Sequence, residues 1–393
     1  MPAQNIFFTL LAFSLLFGAC GSSSQGETQT FTKEEKKFIH TLFLTEYLWY
    51  DQVASNVNYS TFNTRQEMID TLKISPPDRW SFAWTREEYN SFTNQKTSGF
   101  GFRYTPEFKI ISVRTGSPSF SKLMRGDTIL EINAKPVTIN NIHNAKKNIG
   151  TPSLFKILRN GNVIDVTITS QEYNYTVASG KIITQNKTKI GYLRYDEFTD
   201  NSIAEFEPIF TRFKEDNISE LIIDLRYNGG GSIDTASALL DNITNAYPNQ
   251  RQVYLDWNTN YKGKNSTYRF ESKDLEDGNE LTMKRVFFLV TQNTASASEL
   301  VISALKPYLG NANVITVGTK THGKPVGFTG HIYNNTFYFI VNFFVKNNQD
   351  QHTSFDGIPV TCNATDDLSH QRDDENETML STALYYIKNQ TCP

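Results

Sequence analysis

The sequence lacks several things that a chain of 393 residues could carry. It has no charge surplus, since 38 Lys and Arg face 41 Asp and Glu for a formal net charge of −3. Without a basic excess there is no electrostatic footprint for nucleic acid, and without an acidic one there is no solvating tail. The six histidines are scattered, with no metal-ligand spacing among them. A glycine triplet, Gly229, Gly230 and Gly231, is not followed by the Lys-Ser/Thr pair of a nucleotide-phosphate loop. No stretch reaches the roughly 18 apolar residues of a membrane span, and no repeat of solenoid period is visible. Cysteine is scarce, with Cys20, Cys362 and Cys392 as the whole complement. No metal, nucleotide or other cofactor is expected.

What is there is enough to fold. Hydrophobic residues make up 38% and aromatic residues 13%, which suits two or three cored domains at this length. Residues 6–17 form an apolar run of about a dozen, too short for a span. Gly18, Ala19 and Cys20 follow, then polar residues 21–25. An apolar run closed by small residues is an export-signal pattern. Cys20 directly after the small pair resembles a bacterial lipobox, although no Lys or Arg precedes the run. The expectation is a lipoprotein leader over residues 1–20 with Cys20 lipidated, a linker over 21–31, and a mature chain in the bacterial cell envelope. Ordinary cleavage, with Cys20 incidental, is the alternative. Disulfides persist in an exported chain, so a Cys362–Cys392 bridge over the C-terminal segment is expected, with two free thiols as the other option.

Residues 32–95 read as a small helical domain. Thr32 with Glu35 has capping-box spacing, and residues 65–72 form a second helix. Residues 96–172 are β-rich, with Asn160-Gly161 as a hairpin turn and one helix near residues 140–148. The loop Gly99-Phe100-Gly101-Phe102 together with Arg125-Gly126-Asp127 and its following strand resembles a PDZ domain. That resemblance implies capture of a peptide's terminal carboxylate by the loop and pairing along a strand edge. A small β-barrel with no peptide role is the other reading. From residue 185 to 393, strands near 190–194, 221–225, 286–290 and 314–317 alternate with helices near 203–213, 234–243 and 296–309, which predicts a layered α/β domain. A Phe- and Tyr-rich strand over 336–345 and a closing helix over 380–387 complete it.

Three segments stand directly after strands of that domain, where such sheets gather their active sites. The first is Asp224-Leu225-Arg226-Tyr227-Asn228-Gly229-Gly230-Gly231, whose unshielded backbone N–H groups suit an anion, phosphate or transient oxyanion. The second is Thr294-Ala295-Ser296-Ala297-Ser298-Glu299, small residues around a serine at a helix start, where a developing negative charge is favoured. The third is Thr321-His322-Gly323-Lys324. A lysine buried beside a serine loses its proton readily and becomes a base, with His322 as the rival.

Together these segments resemble the carboxy-terminal processing peptidase family, related to tail-specific and tricorn-type proteases. The likeness rests on Asp-Leu-Arg-x-Asn-x-Gly-Gly, on Ser296-Ala297-Ser298-Glu299, on the Thr-x-Gly-Lys turn ending at Lys324, and on Gly191-Tyr192-Leu193-Arg194 ahead of Phe198. It implies a crotonase-like α/β catalytic core with an inserted PDZ domain. It also implies Ser296 as nucleophile, Lys324 as general base, and an oxyanion hole from Gly229 or Gly230 with Ala297. The implied activity is endopeptidase cleavage of exported, C-terminally exposed or unfolded proteins near their C-termini. The sequence departs from the family at two points. Ser296 and Lys324 are 28 residues apart, a few more than the family pattern, with the surplus placed at residues 310–313. Phe328 stands where many members carry a Gln that orients the lysine. A non-catalytic peptide-binding lipoprotein on a degenerate peptidase fold is therefore the rival reading. An acyl-CoA hydratase-like enzyme fits poorly, because a PDZ insertion has no role in one.

Overall fold

The computed structural model describes residues 9–10 and 30–393 apart from residue 276. The expected lipidation site Cys20 and almost all of the leader and linker lie outside the described residues. Helix α1 (Lys33–Thr45) begins where Thr32 accepts the Glu35 N–H, and α2 (Arg65–Leu72) begins at a complete Thr64/Glu67 capping box. Neither helix is long enough to close a core with the other. Their buried faces, with Ile39, Phe43, Met68 and Ile69, pack instead on Val326, Phe328, Phe339 and Val341, far along the chain. Strand β1 (Phe82–Thr85) extends the same junction by pairing antiparallel with residues 336–339. Helix α3 (Arg86–Thr93) then leads out of this region.

The β-rich unit follows. Strand β2 (Lys96–Gly99) pairs antiparallel along its whole length with β9 (Gln171–Asn174), so the unit leaves and rejoins the chain at one place. Between them lie β3 (Phe102–Tyr104), β4 (Ile110–Val113), β5 (Thr128–Ile132), β6 (Lys135–Pro136), α4 (Ile139–Lys147), β7 (Pro152–Arg159) and β8 (Asn162–Thr169). Asn160 and Gly161 both take positive φ, 48° and 80°, as a tight hairpin turn between β7 and β8 requires. Phe100, Ile110, Ile129, Ile142, Phe155 and Ile168 give this unit a core of its own.

The remaining chain builds two sheets. The first runs β10 (Ala178–Gln185), β11 (Thr188–Tyr195), β12 (Glu220–Asp224), β15 (Val286–Val290), β16 (Val314–Gly318) and β19 (Cys362–Asn363). Its first pair is antiparallel and the rest are parallel. Successive apolar side chains of β12 and β15 enter opposite cores, as burial on both faces demands. Leu221, Ile223, Val286 and Phe288 meet α5 (Ile203–Glu215), α6 (Ile233–Ile243) and α7 (Ala297–Leu309). Ile222, Phe287 and Leu289 meet α8 (Thr378–Asn389). A second, antiparallel sheet joins β17 (Val326–Tyr333), β18 (Thr336–Lys346), β13 (Arg251–Trp257) and β14 (Ser266–Arg269), with β1 added on β18. The sequence shows only the Phe/Tyr-rich β18 of these. Cys362 and Cys392 are bonded across a Cα–Cα distance of 5.6 Å, fastening the chain end beyond α8 to the sheet edge.

Candidate active site

Because β12, β15 and β16 are parallel neighbours, the loops that follow them emerge at one end of the sheet. Those three loops are the ones marked by the sequence. They are stitched together by backbone and side-chain bonds. Thr294 Oγ1 donates to the Leu225 carbonyl (2.7 Å), and the Ala295 N–H and Ser298 Oγ both donate to the Asn228 carbonyl (3.1 and 3.0 Å). The His322 N–H donates to the Thr294 carbonyl (3.0 Å). The serine flanked by small residues is thus clamped between the glycine loop and the lysine turn.

Ser296 itself lies just before α7 with φ 64° and ψ −117°, a conformation that an ordinary helix cap does not adopt. Such backbone strain in a non-glycine residue persists only where its surroundings enforce it. The enforcing group is Glu299, which is fully buried. Its Oε2 accepts the N–H of Ser296 (2.9 Å) and the N–H of Lys324 (2.8 Å). Its Oε1 accepts the Gly323 N–H (2.8 Å) and the Thr321 hydroxyl. One carboxylate oxygen therefore ties the two residues together through their backbones. Burial raises the Glu299 pKa, against the hydrogen bonds it receives from Thr321, Lys324, Ser296 and Gly323.

Ser296 and Lys324 are each 2% exposed and line the same small cavity, with Leu300, Pro325 and Val345. Burial holds the Lys324 pKa well below the ordinary lysine value, while Asp78 and Glu299 oppose the shift. Phe328, at the position of the missing Gln, places its ring 4.3 Å from the Lys324 Nζ, and Trp80 lies 6.0 Å away. Trp80 belongs to the N-terminal region, as does Asp78, which is wholly buried and accepts the N–H groups of Trp80 (2.8 Å) and Ser81 (3.0 Å). Nothing local to residues 78–80 announces a site more than two hundred residues away.

The other expected residues fall as follows. Gly230 takes φ 105° and lies so near the serine turn that an added Cβ would stand 2.7 Å from the Ser296 Cβ and 3.0 Å from the Ala297 nitrogen. Its own N–H already donates to Asn228 Oδ1 (2.9 Å), which leaves Gly229 and Ala297 as the oxyanion candidates in this conformation. His322 Nε2 accepts the Trp80 indole N–H (3.2 Å), which turns the imidazole toward the N-terminal region. Gly99, Phe100, Gly101 and Phe102 lie in the β-rich unit, where Phe100 is core and the Gly101 carbonyl accepts the Arg114 N–H (2.8 Å). The surplus at residues 310–313 forms a glycine cap and a short 3-10 turn after α7. Among the described residues no group of His, Cys, Asp or Glu is arranged to hold a metal ion, and no helix is long and apolar enough to cross a membrane.

Residues 189–362 match the description Peptidase family S41, and residues 34–82 match Peptidase S41 N-terminal domain. The chain belongs to peptidase family S41. The first match begins at β11 and contains all three loops, and the second contains Asp78 and Trp80. A Carboxy-terminal-processing protease of Bartonella bacilliformis is 25% identical over 288 residues, 68% of this chain and 62% of that protein. The chain thus spans about three-fifths of that relative's length. A Carboxyl-terminal-processing protease of Synechocystis is 25% identical over 354 residues, 81% of this chain and 78% of that protein. Among solved structures, an S41 protease from Bacteroides fragilis superposes with a TM-score of 0.78 at 24% identity, covering 90% of this chain and 97% of its own. The photosystem II D1 C-terminal processing protease superposes at 0.54 with 15% identity, over 90% and 98% of the two chains. These likenesses establish a mixed α/β S41 peptidase fold with an N-terminal domain, and a serine peptidase family.

Proposed function

We propose that this S41 member is a serine endopeptidase of the carboxy-terminal processing type, working through Ser296 and Lys324 on a crotonase-like core. The observation that carries the reading is the Glu299 carboxylate, which accepts hydrogen bonds from both residues' backbones while burial weakens the lysine's hold on its proton. Neutral Lys324 takes the Ser296 proton, and the serine oxygen attacks a peptide carbonyl. The N–H groups of Gly229 and Ala297 receive the oxyanion, each such donor being worth roughly 3–4 kcal/mol. Lys324 returns the proton to the leaving amine, and water then resolves the acyl-enzyme. The β-rich unit serves as an inserted PDZ domain whose Gly99–Phe102 loop holds a substrate's C-terminal carboxylate. Substrates are exported proteins with exposed or unfolded C-termini, met at a cell envelope to which Cys20 anchors the enzyme. The mechanism calls for no cofactor.

One observation favours the rival reading of a non-catalytic peptide binder. The space shared by Ser296 and Lys324 is about 10 Å³, close to the room one water needs, so substrate entry requires the surrounding segments to part. Incubation with unfolded casein separates the two. Cleavage by the wild type, lost in Ser296→Ala and in Lys324→Ala but kept in His322→Ala, supports the peptidase, as does a covalent adduct of a serine-directed probe at Ser296. Cleavage indifferent to either substitution would sink the pair, and a wild type that binds peptides without cutting or labelling would establish the binder.

A further inference from the structure

A second and much larger cavity, about 380 Å³, opens between the β-rich unit and the edge of the parallel sheet. One wall is β4 with residues 120–125. The other is formed by residues 175–181 and the end of β11, with residues 371–373 closing the side. Its polar lining is unusually cationic. Arg103, Arg114, Arg125, Lys181, Arg194 and Arg372 face it, against the carboxylates of Asp196, Glu197 and Asp373.

The ion pairs are unevenly shared. Glu197, 2% exposed, accepts Arg114 Nη2 at 2.6 Å and the Tyr175 hydroxyl at 3.0 Å. Arg103 reaches the same carboxylate only at 3.6 Å and otherwise makes a long 3.4 Å bond to the Tyr227 carbonyl. Asp196 is held by Arg372 at 2.5 Å, leaving Arg194 a longer 3.2 Å contact and a 3.4 Å bond to Thr115 Oγ1. The Nε of Arg194 is buried and makes no hydrogen bond. Arg125 and Arg372 are engaged by Asp366 and Asp224, and Lys181 by the Asp373 carbonyl. Two guanidinium groups therefore line the cavity with N–H donors that the protein itself satisfies poorly. A planar carboxylate is the acceptor that such a fork fits best.

The surroundings say what kind of molecule brings that carboxylate. Phe120 and Met124, 49% and 45% exposed, are lining residues too, so the visitor has apolar groups beside its charge. Tyr227 directly precedes Asn228 and the glycine loop, and Glu197 directly precedes Phe198, whose N–H donates to the Gly230 carbonyl (3.1 Å). The cavity backs onto the loop against which Ser296 is clamped. Resting on the peptidase reading above, we infer that this cavity is a substrate subsite in which Arg103 and Arg194 receive a carboxylate of the peptide. That carboxylate is an Asp or Glu side chain flanked by apolar residues, the chain terminus being left to the Gly99–Phe102 loop.

The test uses one labelled apolar peptide in three forms: with a free terminus, amidated, and amidated with one internal Glu. Binding is read by fluorescence anisotropy on the Ser296→Ala protein, so that no cleavage intervenes. Against the amide, we expect about ten-fold tighter binding of the Glu form, weakening as salt rises from about 50 to about 500 mM. That preference disappears in Arg103→Gln and in Arg194→Gln, and Arg103→Lys restores it in part. A preference for the free terminus that survives both Gln substitutions is the one the Gly99–Phe102 loop supplies, and it supports two separate sites. Equal binding of the Glu form and the amide overturns the proposal. So does a Glu preference that survives both Gln substitutions, and so does a free-terminus preference that they abolish. Casein cleavage by the wild type is followed in parallel. Cleavage without carboxylate preference removes only the subsite, and preference without cleavage removes only the peptidase.

Discussion

At the scale of single residues, the site depends on groups that act through Ser296 and Lys324 rather than on substrate. Glu299 is the clearest. It accepts four hydrogen bonds, three of them from backbone N–H groups, and an amide there would turn a donor toward at least one of them. Glu299→Gln should lower stability by about 1–3 kcal/mol, the usual cost of an unsatisfied buried polar group. It should also lower kcat far more than it changes KM, because the two backbones are no longer fixed against each other. Urea unfolding and steady-state kinetics check both parts. Asp78 acts on the lysine's proton. Its negative charge raises the Lys324 pKa against the burial that lowers it. Asp78→Asn therefore lowers that pKa further. Activity that depends on neutral Lys324 is lost as pH falls through its pKa, so the acidic limb of kcat/KM should move to lower pH. An unmoved limb would take Asp78 out of the lysine's field. Phe328 fits the same picture. Its ring lies 4.3 Å from the Lys324 Nζ in the place of a hydrogen-bonding Gln, so the lysine end packs against an apolar face that favours the neutral amine.

At the scale of elements, three parallel strands deliver three loops to one edge, and the loops are interlocked closely enough that a single methyl group matters. Gly230→Ala forces a Cβ into the Ser296 side chain at a φ of 105°. Displacing a reacting group by about 1 Å costs on the order of a hundred-fold in rate, and that loss of casein cleavage is expected here. Gly161→Ala is the control. It also has positive φ, 80°, but nothing lies within 4 Å of its added Cβ. Its strained turn should cost a little stability and leave cleavage unchanged. A Gly230→Ala protein as active as this control would mean that the glycine loop does not position the serine. The N-terminal helices illustrate the same scale differently. The Thr32 cap is local and legible, while the surface the helices bury belongs to β17 and β18, some 250 residues on.

At the scale of the whole molecule, a buried ionic network joins the β-rich unit, the glycine-loop strand and the chain end. Arg226, with no exposed surface, meets Asp224 and Glu377 at 3.0 Å and shares Asp366 with Arg125. Arg372 meets Asp224 (2.8 Å) and Asp196 (2.5 Å). Burial alone would raise these carboxyl pKa values, but Arg226 and Arg372 hold Asp224 low, Arg194 and Arg372 hold Asp196 low, and Arg125 and Arg226 hold Asp366 low. A depressed folded pKa contributes stability above the unfolded value, about 3.9, and loses it as pH falls through the folded value. Stability measured by urea unfolding should therefore drop steeply below about pH 4. Replacing Asp366 by Asn should flatten that drop, and a pH profile identical to wild type would show the network to be energetically silent.

Features set by neighbours along the chain were legible without coordinates. The glycine run after one strand, the small residues about Ser296, the Gly323-Lys324 turn, the Asn160-Gly161 hairpin and the cap at Thr32 all follow from backbone freedom and side-chain size within a few residues. The alternation of apolar strands and amphipathic helices was enough for a layered α/β domain. What those pieces mean to one another is set by long-range packing. The second sheet, the N-terminal helices as a lid on its strands, Asp78 and Trp80 near Lys324, and the arginines about Glu197 and Asp196 all arise between segments tens to hundreds of residues apart. Burial and charge pairing across such distances leave no periodic mark in a sequence. The serine was legible because its loop is local. The state of the lysine was not, because it depends on what packs around the ammonium.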